Sequence, residues 1–227
     1  MSKAKISIIM LTYNAPNYVK TAVESIAKKT KGVEYELVVV DNHSGLRTRL
    51  LLKKLEKQKK IDRIQWNDKN LLFAKGNNAG SRLASPDVTH YLLINSDVEI
   101  RKENWLKKLV DVCPEGGICA YGLVENEPVR ADGYCMLISK ELYQKYELDE
   151  NYEWFWSITK IQAQALAEGK RVIAIRKHND MIYHFGGKSG KAFRCAKGMN
   201  EKKEIICSWF EGHHVEILEQ IEDDIFE

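Results

Sequence analysis

The chain has 227 residues, 44% hydrophobic and 30% charged, which is the makeup of a globular protein with a sizeable core. A formal charge of +3 is too small to imply a nucleic-acid partner, and the cluster Lys53, Lys54, Lys57, Lys59 and Lys60 reads as a solvated helix face. No apolar run reaches transmembrane length, and Met1-Ser2-Lys3-Ala4-Lys5 carries no signal-peptide pattern.

Lys5 to Leu11 reads as a buried strand that ends in Thr12-Tyr13-Asn14. Pro16 suits the first turn of a helix whose apolar stripe is Val19, Ala22, Val23, Ile26 and Ala27. A second strand, Leu37 to Val40, ends in Asp41-Asn42-His43-Ser44-Gly45, and Leu46, Leu50, Leu51 and Leu55 carry the next helix. Ile61 to Trp66 is a third short strand. Asn70 to Asn78 reads as a loop leading into a helix that runs to about Ala84 and closes at Ser85-Pro86. The fourth strand, Tyr91-Leu92-Leu93-Ile94, stops abruptly at Asn95-Ser96-Asp97.

Four strand–helix alternations in a hundred residues predict a mainly parallel sheet with helices on both faces. Such sheets bind ligands outside the carboxyl ends of their strands. Three strand ends deliver polar residues to that one rim. Asp97 is a hard oxygen ligand suited to Mg²⁺ or Mn²⁺ beside substrate phosphates. The residues alone leave a second reading open, in which Asn95-Ser96-Asp97 forms a turn and caps the next helix.

The pattern is less regular after Asp97. Trp105, Leu106, Leu109 and Val110 suggest a short helix, Ile118 to Leu123 and Asp132 to Ile138 two strands, and Glu141 to Tyr146 another short helix. Asp149 to Trp156 is an aromatic-rich loop. Phe155 to Leu166 carries a helix ending at Gly169, and Arg171 to Ile175 is a further strand. His178 to Lys191 reads as a Gly-rich loop in which His184 follows the strand-like Met181-Ile182-Tyr183. The last thirty residues are expected to be helical through Ile205, Ile206, Trp209, Val215, Leu218 and Ile221. Five cysteines without a C-x-x-C pair are expected to be reduced thiols in a cytoplasmic protein.

The order Ser7 to Asn14, Val38 to Ser44, Asn70 to Gly80 and Asn95-Ser96-Asp97 resembles the family 2 glycosyltransferases, whose fold is the A-type glycosyltransferase fold. The resemblance implies that Thr12, Tyr13 and Asn14 lie beneath a nucleotide and that Asp41 accepts a hydrogen bond from its base, usually uracil. It places Lys75 and Asn78 beside the nucleoside and diphosphate. Asn95-Ser96-Asp97 stands where the family has Asp-any-Asp, with Asp97 as direct metal ligand, and His184 resembles the late His that some members bring to the metal. Asp132 is a candidate for the donor sugar. Taken singly, Asp41 and Asp132 also read as turn acids ahead of Gly45 and Gly133, and His184 as a structural histidine.

One departure concerns the general base. Inverting members carry a Glu-Asp pair at the start of the helix ending here at Gly169, and the count puts Ser157-Ile158 there. Glu153, among Tyr152, Trp154, Phe155 and Trp156, is the best remaining candidate. Trp154 and Trp156 suit either an acceptor platform or core packing.

The expectation is an α/β protein with a Rossmann-like, mainly parallel sheet flanked by helices. It would have one catalytic domain over 1–190, divided into a nucleotide half 1–100 and an acceptor half 101–190, with a helical extension over 191–227. Its expected function is metal-dependent, inverting transfer of a sugar from a nucleotide-diphosphate sugar, UDP-linked, to a glycan, lipid-linked or protein acceptor. The C-terminal helices are the expected route to a membrane surface or a second copy. The rival is a nucleotide-sugar-binding module without turnover. A nucleotidyltransferase would want a glycine- and arginine-rich loop after the first strand, which Thr12-Tyr13-Asn14-Ala15 is not.

Overall fold

Strands buried on both faces account for the first half of the molecule. The computed structural model describes residues 4–188, 194 and 196–221. In chain order β1 (Lys5–Thr12), α1 (Pro16–Lys29), β2 (Glu34–Asp41), α2 (Leu46–Lys57), β3 (Arg63–Trp66), α3 (Leu72–Leu83) and β4 (His90–Asn95) alternate as expected. There follow β5 (Val98–Ile100), α4 (Trp105–Val112), β6 (Ile118–Tyr121), β7 (Leu123–Val124), β8 (Arg130–Ala131), β9 (Cys135–Ser139), α5 (Lys140–Tyr146) and α6 (Phe155–Ala167). Last come β10 (Val172–Lys177), β11 (Ile182–His184), α7 (Lys203–Ser208) and β12 (Glu216–Gln220).

Among the described residues the main sheet has eight strands in the order β12-β10-β6-β9-β4-β1-β2-β3. It is parallel except for β9, which runs against both β4 and β6. Alternate side chains of each strand enter opposite layers. Ile8, Met10, Val39, Leu92 and Ile94 pack against α1, α2 and α4. Ile9, Leu93, Met136 and Ile138 pack against α3, α5 and α6. Gly80 lets α3 lie close on β1, since a Cβ there would come within 2.5 Å of Ile9 Cγ2.

Register fixes the rim. Thr12 pairs with Asp41 across β1–β2, and Leu11 pairs with Asn95 across β1–β4. The three polar strand ends therefore stand side by side. A small antiparallel pair adds a fourth element: β11 pairs with β5 so that His184 faces Val98.

Three expectations are corrected. The helical extension expected over 191–227 is not what the described residues of that span form: after α7 the chain forms β12, which pairs with β10 through Ile173↔Glu216 and Ile175↔Leu218. The apolar spacing of Val215, Leu218 and Ile221 resembles a helix, but the open edge of β10 offered unpaired N–H and C=O groups, and ladder formation prevailed. Arg171 and Arg176 reinforce the pairing through Glu216 and Glu219. Lys75 to Asn78 lie within α3 instead of a loop, and the helix starts at Leu72 because the Glu153 carbonyl accepts Phe73 N (2.9 Å) and Ala74 N (3.3 Å). The strand expected from Asp132 begins at Cys135, after a turn at Gly133-Tyr134. No helix among the described residues is long and apolar enough to cross a membrane.

Candidate active site

A cavity of about 330 Å³ opens at the carboxyl rim of the sheet. Of the residues singled out from the sequence, Thr12, Tyr13, Asn95, Ser96, Asp97, Asp132 and His184 line it, as does Trp154. The turn after β4 and the β5–β11 pair bring Asp97 and His184 together, with His184 Nε2 3.2 Å from Asp97 Oδ1. The Asn95 amide nitrogen lies 3.3 Å from the same Nε2. These neighbours make opposite demands, since Asp97 suits a proton on Nε2 while the Asn95 amide, like a metal ion, suits a lone pair there. Tyr134 stacks on the imidazole with centroids 4.4 Å apart and planes 11° off parallel, which fixes the ring's plane.

Asp97 is also held from the far side. Its Oδ2 accepts Lys188 N (3.3 Å), and its carbonyl accepts Phe185 N (2.9 Å). Gly186 and Gly187, both at φ +66, make the left-handed turn that brings Lys188 back to the carboxylate. Burial works to raise the Asp97 carboxyl, but the His184 hydrogen bond and charge, with the Lys188 N–H, outweigh it and hold the group below the usual carboxylate range. Lys188 and Lys191 of the Gly-rich loop suit either phosphate neutralisation or solvation from sequence, and Lys191 lies outside the described residues.

The donor set passes a simple test for a divalent cation. Asp97 and His184 offer one hard oxygen and one imidazole nitrogen at a cavity wall. No group of three His, Cys, Asp or Glu suited to a metal occurs among the described residues. Mg²⁺ and Mn²⁺ sites completed by substrate phosphates need only one or two protein ligands.

Asn14 and Asp41 stand behind the rim. Asp41 is fully buried. Its Oδ1 accepts Thr12 Oγ1 (3.2 Å), its Oδ2 accepts Ser44 N (3.2 Å), and Arg49 Nε lies 3.8 Å away. Asn14, at φ 59, receives Gly45 N on its Oδ1 (2.8 Å) and gives its own N–H to Ser44 Oγ (2.8 Å). The pair thus clips the β1 loop to the β2 loop.

Lys75, Asn78 and Glu153 are not in the cavity lining. Lys75 faces Glu150 at 3.5 Å. The Asn78 amide is committed inside the protein: Nδ2 donates to Leu148 O (2.9 Å), while Oδ1 accepts Tyr143 OH (2.9 Å) and Leu148 N (3.0 Å). Glu153 Oε2 accepts Lys197 N at 2.7 Å. Asp132 does line the cavity, beside Gly133, and its charge acts on the Arg130 guanidinium.

Ile158 also lines the cavity, packed so closely on Gly133 that a Cβ there would meet Ile158 Cγ2 at 2.8 Å. Ser157 is fully buried and donates to Trp154 O (2.8 Å). With Leu72, Phe73, Trp154 and Phe155, Ile158 makes up the apolar part of the lining. Phe73 meets Trp154 edge-on at 6.4 Å. Trp156 turns away and carries the Arg130 guanidinium 5.3 Å over its ring.

Sequence reasoning missed Asn42, Phe73 and the stacking role of Tyr134. Asn42 had a signal, its place in the turn after Asp41; its Oδ1 accepts Asn67 Nδ2 (3.0 Å) and its Nδ2 donates to Leu72 O (3.2 Å). Phe73 had none.

A family model described as glycosyl transferase family 2 matches residues 7–134. Among solved structures, the mannosyltransferase PcManGT from Pyrobaculum calidifontis, in complex with GDP-Man and Mn²⁺, superimposes with a TM-score of 0.63 at 16% identity, covering 78% of this chain and 56% of that one. S. aureus TarS 1-349 in complex with UDP gives 0.56 at 18% identity, covering 70% of this chain and 55% of that one. The same protein with UDP-GlcNAc gives 0.55 at 18%, covering 70% and 53%. At these identities the likeness shows the fold, and the chain spans about half the length of each structure. No curated protein sequence matches the chain.

Proposed function

The chain belongs to glycosyl transferase family 2, and from that premise we propose that it transfers a sugar from a UDP-sugar to an acceptor hydroxyl, with inversion at the anomeric carbon and help from a divalent cation. The observation that carries this reading is the convergence of Asp97, His184 and Lys188 with Thr12, Tyr13, Asn95 and Ser96 around one cavity. The neighbours solved with GDP-Man and Mn²⁺, and with UDP, support it.

Each residue then has a physical task. Asp97 and His184 would hold the cation, which when bound acts as a Lewis acid toward the leaving diphosphate. Lys188, at the cavity edge, adds positive charge for the phosphates. Thr12, Tyr13 and Asn42 form the floor for the nucleoside, with Asp41 and Asn14 as positioning residues beneath it. Asn95 and Ser96 supply hydrogen-bonding groups at the diphosphate end. Asp132 is the other carboxylate of the lining, and we assign it the acceptor proton, because Glu153 is engaged by the Lys197 amide. The nucleotide half would be 1–100 and the acceptor half 101–190. A glycan, lipid-linked or protein hydroxyl would be the acceptor.

A second reading, binding without turnover, is favoured by Ile158, an apolar side chain lining the cavity at the second of the two positions matched to the family's acid pair. One experiment separates the two. The protein is given UDP-sugars, Mn²⁺ and a panel of acceptors, and free UDP is measured alongside calorimetric UDP binding. Sugar-dependent UDP release that Asp132→Asn lowers, with UDP binding retained, supports the enzyme. Tight UDP binding with no release supports the binding module. No UDP binding, in wild type and Asp97→Asn alike, ends both.

A further inference from the structure

The outward face of α2 has a composition that neither the cavity nor the core uses. The inner side of this helix buries Thr48, Leu52 and Leu55. At about 100° per residue the opposite side presents Leu46 and Leu50 one turn apart, with Lys57 in the same stripe and Lys53 and Lys54 flanking it. Leu46 is 73% exposed and Leu50 57% exposed, the two most exposed large apolar side chains among the described residues. Arg47, Lys54 and Lys57 are exposed and have no ion-pair partner among the described residues, whereas Arg49 and Lys53 lean over the Trp66 ring at 5.1 and 6.0 Å. Glu56 is the one acid of this helix.

We propose that this face of α2 docks the protein on an anionic lipid bilayer, with Leu46 and Leu50 entering the headgroup–acyl boundary and Arg47, Lys54 and Lys57 meeting lipid phosphates. The chemistry matches an interfacial helix, in which apolar side chains penetrate while long cationic ones reach up to the headgroups. Charge complementarity selects the bilayer over a protein partner. Two leucines ringed by cations fall far short of the roughly 20–30 residues per side of a stable protein interface, and a second copy would set its own cations against these. Glu216 and Glu219 of β12 stand away from this face, since β12 forms one edge of the sheet and β3, which follows α2, forms the other.

Position gives the contact a use. α2 starts immediately after Gly45, whose N–H is held by Asn14 of the β1 loop. Docking through Leu46 would therefore hold the carboxyl rim next to the lipid surface. This inference stands apart from the transferase reading, since bilayer binding and UDP binding are read separately.

The test is co-sedimentation of the full chain with vesicles of phosphatidylcholine, and of phosphatidylcholine and phosphatidylglycerol at a ratio of 7:3, in low and high salt. Binding to the anionic vesicles alone, weakened by salt, is the expected result. The Leu46→Ser/Leu50→Ser variant should lose about tenfold or more in partition coefficient, and each of Arg47→Gln, Lys54→Gln and Lys57→Gln about fivefold. These positions are exposed, so UDP affinity and the thermal midpoint serve as folding controls. Equal binding to neutral vesicles, no binding, or unchanged binding by the variants would overturn the proposal. So would a concentration-dependent dimer in light scattering that the double leucine variant abolishes, which would assign the face to a second copy.

Discussion

Asp97 and His184 lie 87 positions apart and meet because β5 and β11 pair. Asp97→Asn keeps the shape but removes the anion, so UDP affinity in Mn²⁺ is expected to fall at least tenfold, with little change in EDTA, as calorimetry would show. Asp132→Asn should lower UDP-sugar turnover by about 10²–10⁴ while leaving UDP affinity in place; equal loss of both would move Asp132 from proton transfer to binding. Asn78 carries the opposite expectation. Its amide ties α3 to Tyr143 and Leu148 and is 1% exposed. Asn78→Ala should cost about 2–3 kcal/mol of stability in urea by stranding buried partners, with UDP affinity unchanged. Asn78 read as a ligand because Lys75 to Asn78 looked like a loop, and it is the helix that turns its amide inward.

At the scale of elements, α3 shows why boundaries depend on remote parts of the chain. Its N-cap residue, Leu71, makes no side-chain cap, and Asn70 Oδ1 takes only the Leu72 N–H (2.9 Å). The Glu153 carbonyl serves the first-turn N–H groups, and the Glu153 carboxylate in turn takes Lys197 N. Local composition around Asn70 carries no trace of that contact. Gly80 explains the close seat of α3 on β1, and Gly80→Ala should destabilise by about 1–3 kcal/mol through overpacking against Ile9, measured as a lower urea midpoint. The loop before α6 is fastened to that helix by Asp149 and Lys160. Burial raises the Asp149 carboxyl, but Lys160 and the Asn151 N–H and amide outweigh it and hold the group below its usual range. A depressed native value means the contribution is present above the unfolded carboxylate range, about pH 4, and is lost as pH falls through the native value. Asp149→Asn should therefore cost up to about 1 kcal/mol at pH 7 and lose less stability than wild type between pH 7 and pH 3, as urea midpoints would show.

At the scale of the whole molecule, the rim is a property of strand order. β1 sits between β2 and β4, so Thr12, Asp41 and Asn95 share one ledge. A ligand gripped there bridges parts of the chain distant in sequence and should stabilise all of it. UDP with Mn²⁺ at about a hundred times its dissociation constant is expected to add about 2.7 kcal/mol. For a chain of this size that is a rise of about 5–10 °C in the thermal midpoint, smaller in EDTA and cut to about half or less for Asp97→Asn, as a tenfold or greater loss of affinity requires. A midpoint that does not move with either ligand would detach the cavity from nucleotide binding.

By itself the sequence determined the alternation of strands and helices, the mainly parallel sheet and the polar strand ends, because apolar periodicity and an abrupt change from Ile94 to Asn95 are local signals. It also marked Ser157-Ile158 as the place where the expected acids are missing, and Ile158 does line the cavity wall. Only the tertiary structure decided that the C-terminal segment supplies β12 rather than more helix, that Glu153 caps α3, and that Phe73 and Tyr134 line the site beside Asp132. Those outcomes depend on which unpaired backbone groups and which faces lie nearby once the chain has folded, and a linear pattern contains no distances.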